Sequence, residues 1–215
     1  MNTEKKKWLL LLNLFGLSLF LLMLINVLTE GSMLTVDKWV HAHIDLLRTP
    51  PLTEWVIMLT NTNGMVNSYI FAFCVILILA YNKWYAEIWF YIGVTLGSTA
   101  LFISVKYLAE RTRPASDVIE VTGYSFPSGH TTMATAMAIA LYVVFSRKIP
   151  SPTFRMIFLT ACLIWPLLIG FSRIYLSVHW SSDVLGGLGF GLFWSTLFYM
   201  LYVYFTKETF TYKTD

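Results

Sequence analysis

Apolar positions in this chain gather into long runs, with none of the strict alternation that marks strands. Six mostly apolar stretches lie at about 8–28, 65–81, 85–106, 130–146, 154–171 and 184–205. Each is roughly 17 to 23 residues long, close to what a helix needs to cross a hydrocarbon layer of ~30 Å. They are too long and too continuous for the ten-residue segments of a barrel, so helices must satisfy the backbone in lipid. The pattern predicts an all-α, integral membrane six-helix bundle, read as a single membrane domain over residues 1–215. The first run follows Lys5, Lys6 and Lys7 like a signal peptide, but it is longer than such a segment and has no small-residue cleavage site. It is read as a retained span.

Between the first two spans the period changes. Val36, Trp39, Val40, His43, Ile44 and Leu47 recur at helical spacing opposite Asp37, Lys38, Asp45 and Arg48. This predicts a short helical segment lying in the membrane interface, ended by Pro50 and Pro51. A second short stretch, with Leu52, Trp55, Val56 and Leu59 on one face, precedes a turn at residues 61–64. Packing at the membrane surface is the expected role of this region, ahead of a gate for substrate.

Composition supports the same medium: 57% of the 215 residues are hydrophobic and 13% charged, more apolar surface than one soluble core of this size could hide. Cys74 and Cys162 stand inside apolar runs and offer neither a disulfide framework nor a metal pair. The net charge of +3 is dispersed between spans, which argues against a nucleic-acid partner. Lys5, Lys6, Lys7, Lys83, Arg147, Lys148, Arg155, Lys207 and Lys213 collect on one side of the six spans. Lys38, Arg48, Lys106, Arg111, Arg113 and Arg173 collect on the other. The richer side is expected to be cytoplasmic, as are both termini of this cell-membrane, multi-pass chain.

Three polar clusters break the apolar pattern, all on the expected outer side. Lys106 to Pro114 leaves the third span, Pro127, Ser128, Gly129 and His130 open the fourth, and Ser172, Arg173, His179 and Asp183 link the fifth to the sixth. Lys106, Arg113 and Arg173 bring positive charge to one mouth of the bundle, where an unpaired cation is costly and an anion is therefore expected. Arginine suits phosphate through its two-pronged donor geometry. Ser128 and Gly129 stand where a helix starts and free amides meet an anion, and Gly129 permits close backbone approach. His130 and His179 can serve as nucleophile or acid near neutral pH. Asp183, four residues after His179, would share a helical face with it and hold one imidazole N–H.

These clusters resemble the type 2 phosphatidic acid phosphatase superfamily. Its three motifs are Lys, six residues, Arg-Pro; then Pro-Ser-Gly-His; then Ser-Arg, five residues, His, three residues, Asp. Lys106, Arg113, Pro114, Pro127, Ser128, Gly129, His130, Ser172, Arg173, His179 and Asp183 match every specified position. The resemblance implies a metal-independent lipid phosphate phosphatase that needs no cofactor and acts through a phosphohistidine. It makes His179 the nucleophile, Asp183 its orienting partner and His130 the acid that later serves as base. Lys106, Arg113, Ser128, Gly129 and Arg173 would hold the phosphoryl oxygens. Within the family the small size and short loops point to phosphatidylglycerophosphate as substrate. Undecaprenyl pyrophosphate is the near rival, followed by phosphatidic acid and diacylglycerol pyrophosphate.

Taken singly, each cluster has a plainer reading, because basic residues at span ends reach for headgroups and Pro-Ser-Gly is an ordinary helix start. Their convergence favours catalysis. A lipid or anion transporter is the main alternative, but transporters place their binding groups near the midplane on broken helices, whereas these lie at span ends. A noncatalytic lipid-binding scaffold would not call for two histidines and an aspartate. His41, His43 and Asp45 suggest a metal, yet His41 and His43, two apart on a helix, point in opposed directions. The expected partners are the bilayer and the lipid phosphate, and no pattern points to a protein.

Overall fold

The computed structural model describes residues 3–206 and is helical, with no strand among the described residues. Its helices are α1 (Thr3–Leu28), α2 (Met33–Ile44), α3 (Pro50–Thr62), α4 (Met65–Tyr81), α5 (Tyr85–Ala109), α6 (Gly129–Phe145), α7 (Pro152–Tyr175) and α8 (Ser181–Thr206). The expected basic residues Lys207 and Lys213 lie outside the described residues. Five helices are individually long and apolar enough to span a membrane: α1, α5, α6 with the short turn after it, α7 and α8. A sixth span results when α3 and α4, a pair bent by 48°, are counted as one.

This bent pair revises the expected surface segment. The stretch around Trp55 continues into α4 instead of lying wholly apart from it, and the 17 residues of α4 reach only about 25 Å alone. Asn63 and Gly64 make the break. Gly64 is extended at the α4 N-cap, and Asn63, buried, donates a hydrogen bond to the backbone oxygen of His130 at 2.9 Å.

The helix α6 is the centre of the bundle and packs on α5, α7 and α8. Its buried alanines at 134, 136, 138 and 140 let neighbouring backbones come close, which supplies dispersion contact where lipid gives no hydrophobic drive. The first and last helices cross at two glycines. A Cβ on Gly16 would meet the Phe193 nitrogen at 2.7 Å, and one on Gly189 would meet the Phe20 nitrogen at 2.7 Å. Asn13 secures the crossing by donating to the Phe193 oxygen and Thr196 Oγ1, both at 2.9 Å. Elsewhere large apolar side chains such as Phe15, Phe73, Trp89 and Ile157 face outward, as lipid requires.

Candidate active site

All three polar clusters meet at one end of the bundle. Lys106 lies in the last turn of α5, which Glu110 ends by taking a left-handed conformation, φ 44°. The chain then runs irregularly from 110 to 128, tied to itself by Ser125, whose N–H donates to the Arg111 oxygen at 2.8 Å. Lys106 Nζ donates to the Tyr124 oxygen at 2.7 Å and the Ser125 oxygen at 3.2 Å. Arg113 is fixed through Nε to the Gly123 oxygen and through Nη2 to the Tyr124 oxygen. Loop and span end are thus one structure.

Ser128 caps α6, its hydroxyl accepting from the Thr131 N–H and, at 2.9 Å, from Thr131 Oγ1. Its own N–H donates to the Asp183 backbone oxygen at 3.0 Å. Ser128 is therefore the one expected phosphate ligand that does not line the cavity. Gly129 and His130, which follow it, do. Gly129 has a packing reason to lack a side chain, since a Cβ there would meet the Phe102 ring at 2.9 Å.

The cavity, of about 160 Å³, is lined by Lys106, Arg113, Gly129, His130, Arg173 and His179, with Asn63, Met65, Phe102, Val121 and Met133. Arg173 is only 3% exposed; it donates through Nη1 to Thr60 on α3 at 2.9 Å, and its buried Nε has no hydrogen-bond partner. None of Lys106, Arg113 and Arg173 makes an ion pair with a carboxylate among the described residues. Three cations around one small cavity, one with a buried donor that has no partner among the described residues, make a setting that suits an anion.

Beside them His179 is held in one protonation form. Arg113 Nη1 lies 3.1 Å from His179 Nε2, and Asp183 Oδ2 lies 3.3 Å from Nδ1. A guanidinium can only donate, so Nε2 must be the accepting nitrogen and Nδ1 must carry the proton that goes to Asp183. Burial, followed by the charges of Arg113, Lys106 and Arg173, holds this imidazole well below the usual histidine range. The ring is neutral, and its Nε2 lone pair is turned to Arg113 Nη1, beside the other cations.

The contact with Asp183 differs from the expected helical pair. His179 stands in the turn before α8, after Ser177 at φ 50°, and only Asp183 is helical. Asp183 reaches back from the first turn of α8 to accept the Trp180 N–H at 2.9 Å, the closing half of a capping box, and this brings its carboxylate to His179.

Two charged residues given no role from the sequence belong to this construction. Arg111 Nη1 donates to Asp183 Oδ1 at 2.6 Å, and Nη2 donates to Asp37 Oδ2 at 2.7 Å. Asp37 was expected on the polar, solvated face of α2, yet it is 1% exposed. Lys38 and Trp39 beside it are exposed, so α2 turns this one carboxylate inward. The only available signal was chemical: a cation at a span mouth needs a carboxylate, and Asp37 lies on the same side. His41 and His43 take separate aromatic partners, Trp180 and Trp39.

An apolar groove of about 370 Å³ adjoins the site. It lies between α4, α6 and α7 with Phe71, Met137, Leu141, Phe158 and Trp165 in its walls, and it shares Asn63 with the polar cavity.

The family model of the PAP2 superfamily matches residues 87–207, a stretch that contains every one of these motif positions. The chain belongs to the PAP2 superfamily. Phosphatidylglycerophosphatase B of Bacillus subtilis (strain 168) is 31% identical over 183 residues, covering 82% of this chain and 88% of the relative. Undecaprenyl-diphosphatase BcrC of the same organism is 41% identical over 75 residues, 35% of this chain and 34% of that protein. The crystal structure of a transmembrane PAP2-type phosphatidylglycerolphosphate phosphatase from Bacillus subtilis superposes with a TM-score of 0.76. It covers 92% of this chain and 99% of that one at 24% identity, a likeness of fold. This PAP2 protein is a multi-pass membrane phosphatase.

Proposed function

We propose that the chain hydrolyses phosphatidylglycerophosphate to phosphatidylglycerol and phosphate through a phosphohistidine on His179. The observation that carries this reading is the state of His179: Nδ1–H on Asp183, and the Nε2 lone pair turned to Arg113 beside three cations that have no carboxylate partner among the described residues. Lys106, Arg113, Arg173 and the Gly129 amide hold the phosphoryl oxygens, and Ser128 sets that amide by capping α6. Nε2 attacks phosphorus, the P–O bond to the lipid breaks, and His130 gives its proton to the departing oxygen. Water then attacks the phosphohistidine, yielding its proton to His130 as phosphate leaves and Nε2 is restored. The charge on the phosphoryl group is met by side chains, so no metal or cofactor takes part.

Lipid is favoured over a soluble ester by the groove that adjoins the cavity at Asn63, apolar and at membrane depth, where a tail can lie while the phosphate meets His179. Phosphatidylglycerophosphate is favoured because the relative matched over most of its own length acts on it by name, whereas the undecaprenyl relative matches over a third. The site faces outward and both termini inward, because the basic residues are more numerous on the opposite side of the spans.

The test is phosphate release by purified protein in one detergent, on phosphatidylglycerophosphate, undecaprenyl pyrophosphate, phosphatidic acid and diacylglycerol pyrophosphate, before and after exhaustive chelation. The expected result is the highest kcat/KM on phosphatidylglycerophosphate, undiminished by chelation. A higher value on another lipid would overturn the substrate, and strict dependence on a divalent ion would overturn the mechanism.

A further inference from the structure

Asp37 is a buried carboxylate on a helix that is otherwise exposed on most sides, and every one of its acceptor positions is filled. Oδ1 takes the Ser181 hydroxyl and, at 2.9 Å, the Ser182 N–H; Oδ2 takes the Ser182 hydroxyl and Arg111 Nη2. The two serines open α8, so Asp37 caps that helix from outside and meets the positive end of its dipole. Arg111 completes the chain. One prong of its guanidinium goes to Asp37, and the other goes to Ser182 Oγ at 2.7 Å and Asp183 Oδ1 at 2.6 Å.

Charge along this chain bears on His179. Asp183 paired with Arg111 alone would form a neutral couple, with little negative charge left for the imidazole. Asp37 claims a share of the same guanidinium, so the buried set of two carboxylates and one guanidinium carries a net charge of about −1. The surplus faces Nδ1. When Nε2 bonds to phosphorus the ring, still protonated at Nδ1, becomes cationic, and a surplus negative charge at Asp183 stabilises that state more than the neutral ring. The bridge also holds the Asp183 carboxylate in the orientation that keeps the Nδ1–H tautomer.

We infer that Asp37 and Arg111 are positioning residues for the phosphoryl transfer, acting on His179 through Asp183. The inference rests on the phosphatase reading of the site. It makes α2 part of the catalytic assembly, whereas the plainer role would be docking of α2 onto the start of α8.

A double-mutant cycle separates the two roles, because residues that act through one another are not additive. Asp37→Asn keeps the side chain's size while removing its charge and presenting an amide to Arg111. In the presence of Asp183 its kcat on the lipid phosphate should fall about ten- to a hundredfold with KM within about twofold, by analogy with the loss when the outer partner of a metal-bound histidine is removed. In the Asp183→Asn background the same change should cost less than about twofold. Arg111→Lys, whose point charge cannot serve both carboxylates, is carried through the same cycle and should behave likewise. It also answers the question if Asp37→Asn fails to fold. Ser181→Ala removes a hydrogen bond to Asp37 without touching the route to Asp183, and should leave kcat within about threefold.

Equal fold-losses in both Asp183 and Asp183→Asn backgrounds, or an unchanged kcat in Asp37→Asn, would overturn the inference while leaving the phosphatase reading standing. Wild-type protein that released no phosphate would instead overturn that reading.

Discussion

Arg113 and Asp183 between them set the tautomer of His179, the nucleophile in the proposed mechanism. The donor on one side and the acceptor on the other leave a single tautomer, and burial, followed by the neighbouring cations, favours the neutral ring. His130 also lines the cavity, and the division of labour between the two histidines is open to direct test. His179→Ala should abolish turnover of every substrate, since no phosphoryl-enzyme forms. His130→Ala should lose roughly 10² to 10⁴ on a lipid, whose alkoxide needs a proton, but less on an aryl phosphate whose phenol leaves unaided. The comparison is made on the first phenol release in a single turnover, before hydrolysis of the intermediate limits the rate. Complete loss in both variants on both substrates, with folding intact, would refute the assignment. The motif residues were legible because their types and spacing are chemically specific. Arg111, Asp37 and Thr60 were not, because their roles exist only once separate segments meet: Asp37 reads in sequence as one polar position on an amphipathic face.

At the scale of elements, the spans were legible because lipid leaves a helix no choice but a continuous apolar run. The ends were less so: α1 begins at Thr3 and α7 runs on to Tyr175, since charged and polar residues at the interface continue a helix without being apolar. The bend between α3 and α4 shows in the sequence only as a turn at residues 61–64, because nothing local specifies its 48° angle, and Asn63 in the break bonds to His130 on another helix. The helix pairing of His179 with Asp183 failed for a related reason, a left-handed residue at Ser177 that ends regular structure before His179. The proposed sidedness rests on the basic residues at the span ends. Single cysteines placed at 118, between α5 and α6, and at 151, between α6 and α7, test it in intact cells with an impermeant thiol reagent. Position 118 should be labelled and 151 spared. The reverse would contradict an outward-facing site.

The whole molecule brings together residues from α2, α5, the 110–128 connection, α6, α7 and α8 at one mouth, around a helix, α6, thinned by alanines so that its neighbours close on it. Charge is arranged in two layers there. Cations without a carboxylate partner among the described residues line the cavity, while the carboxylates are withdrawn behind His179 and tied to Arg111. A transporter or a passive lipid-binding scaffold could use the first layer but has no need of the second, whose geometry acts on one nitrogen of one histidine. The most direct measurement is therefore to trap that nitrogen in use. A single turnover on lipid phosphate carrying a radioactive label is stopped in alkali, where a phosphohistidine survives, and the labelled peptide is identified by mass spectrometry. The account predicts transient label on the peptide containing His179, rising before free phosphate and absent from His179→Ala. Label on a different residue, or undiminished phosphate release by His179→Ala, would contradict it.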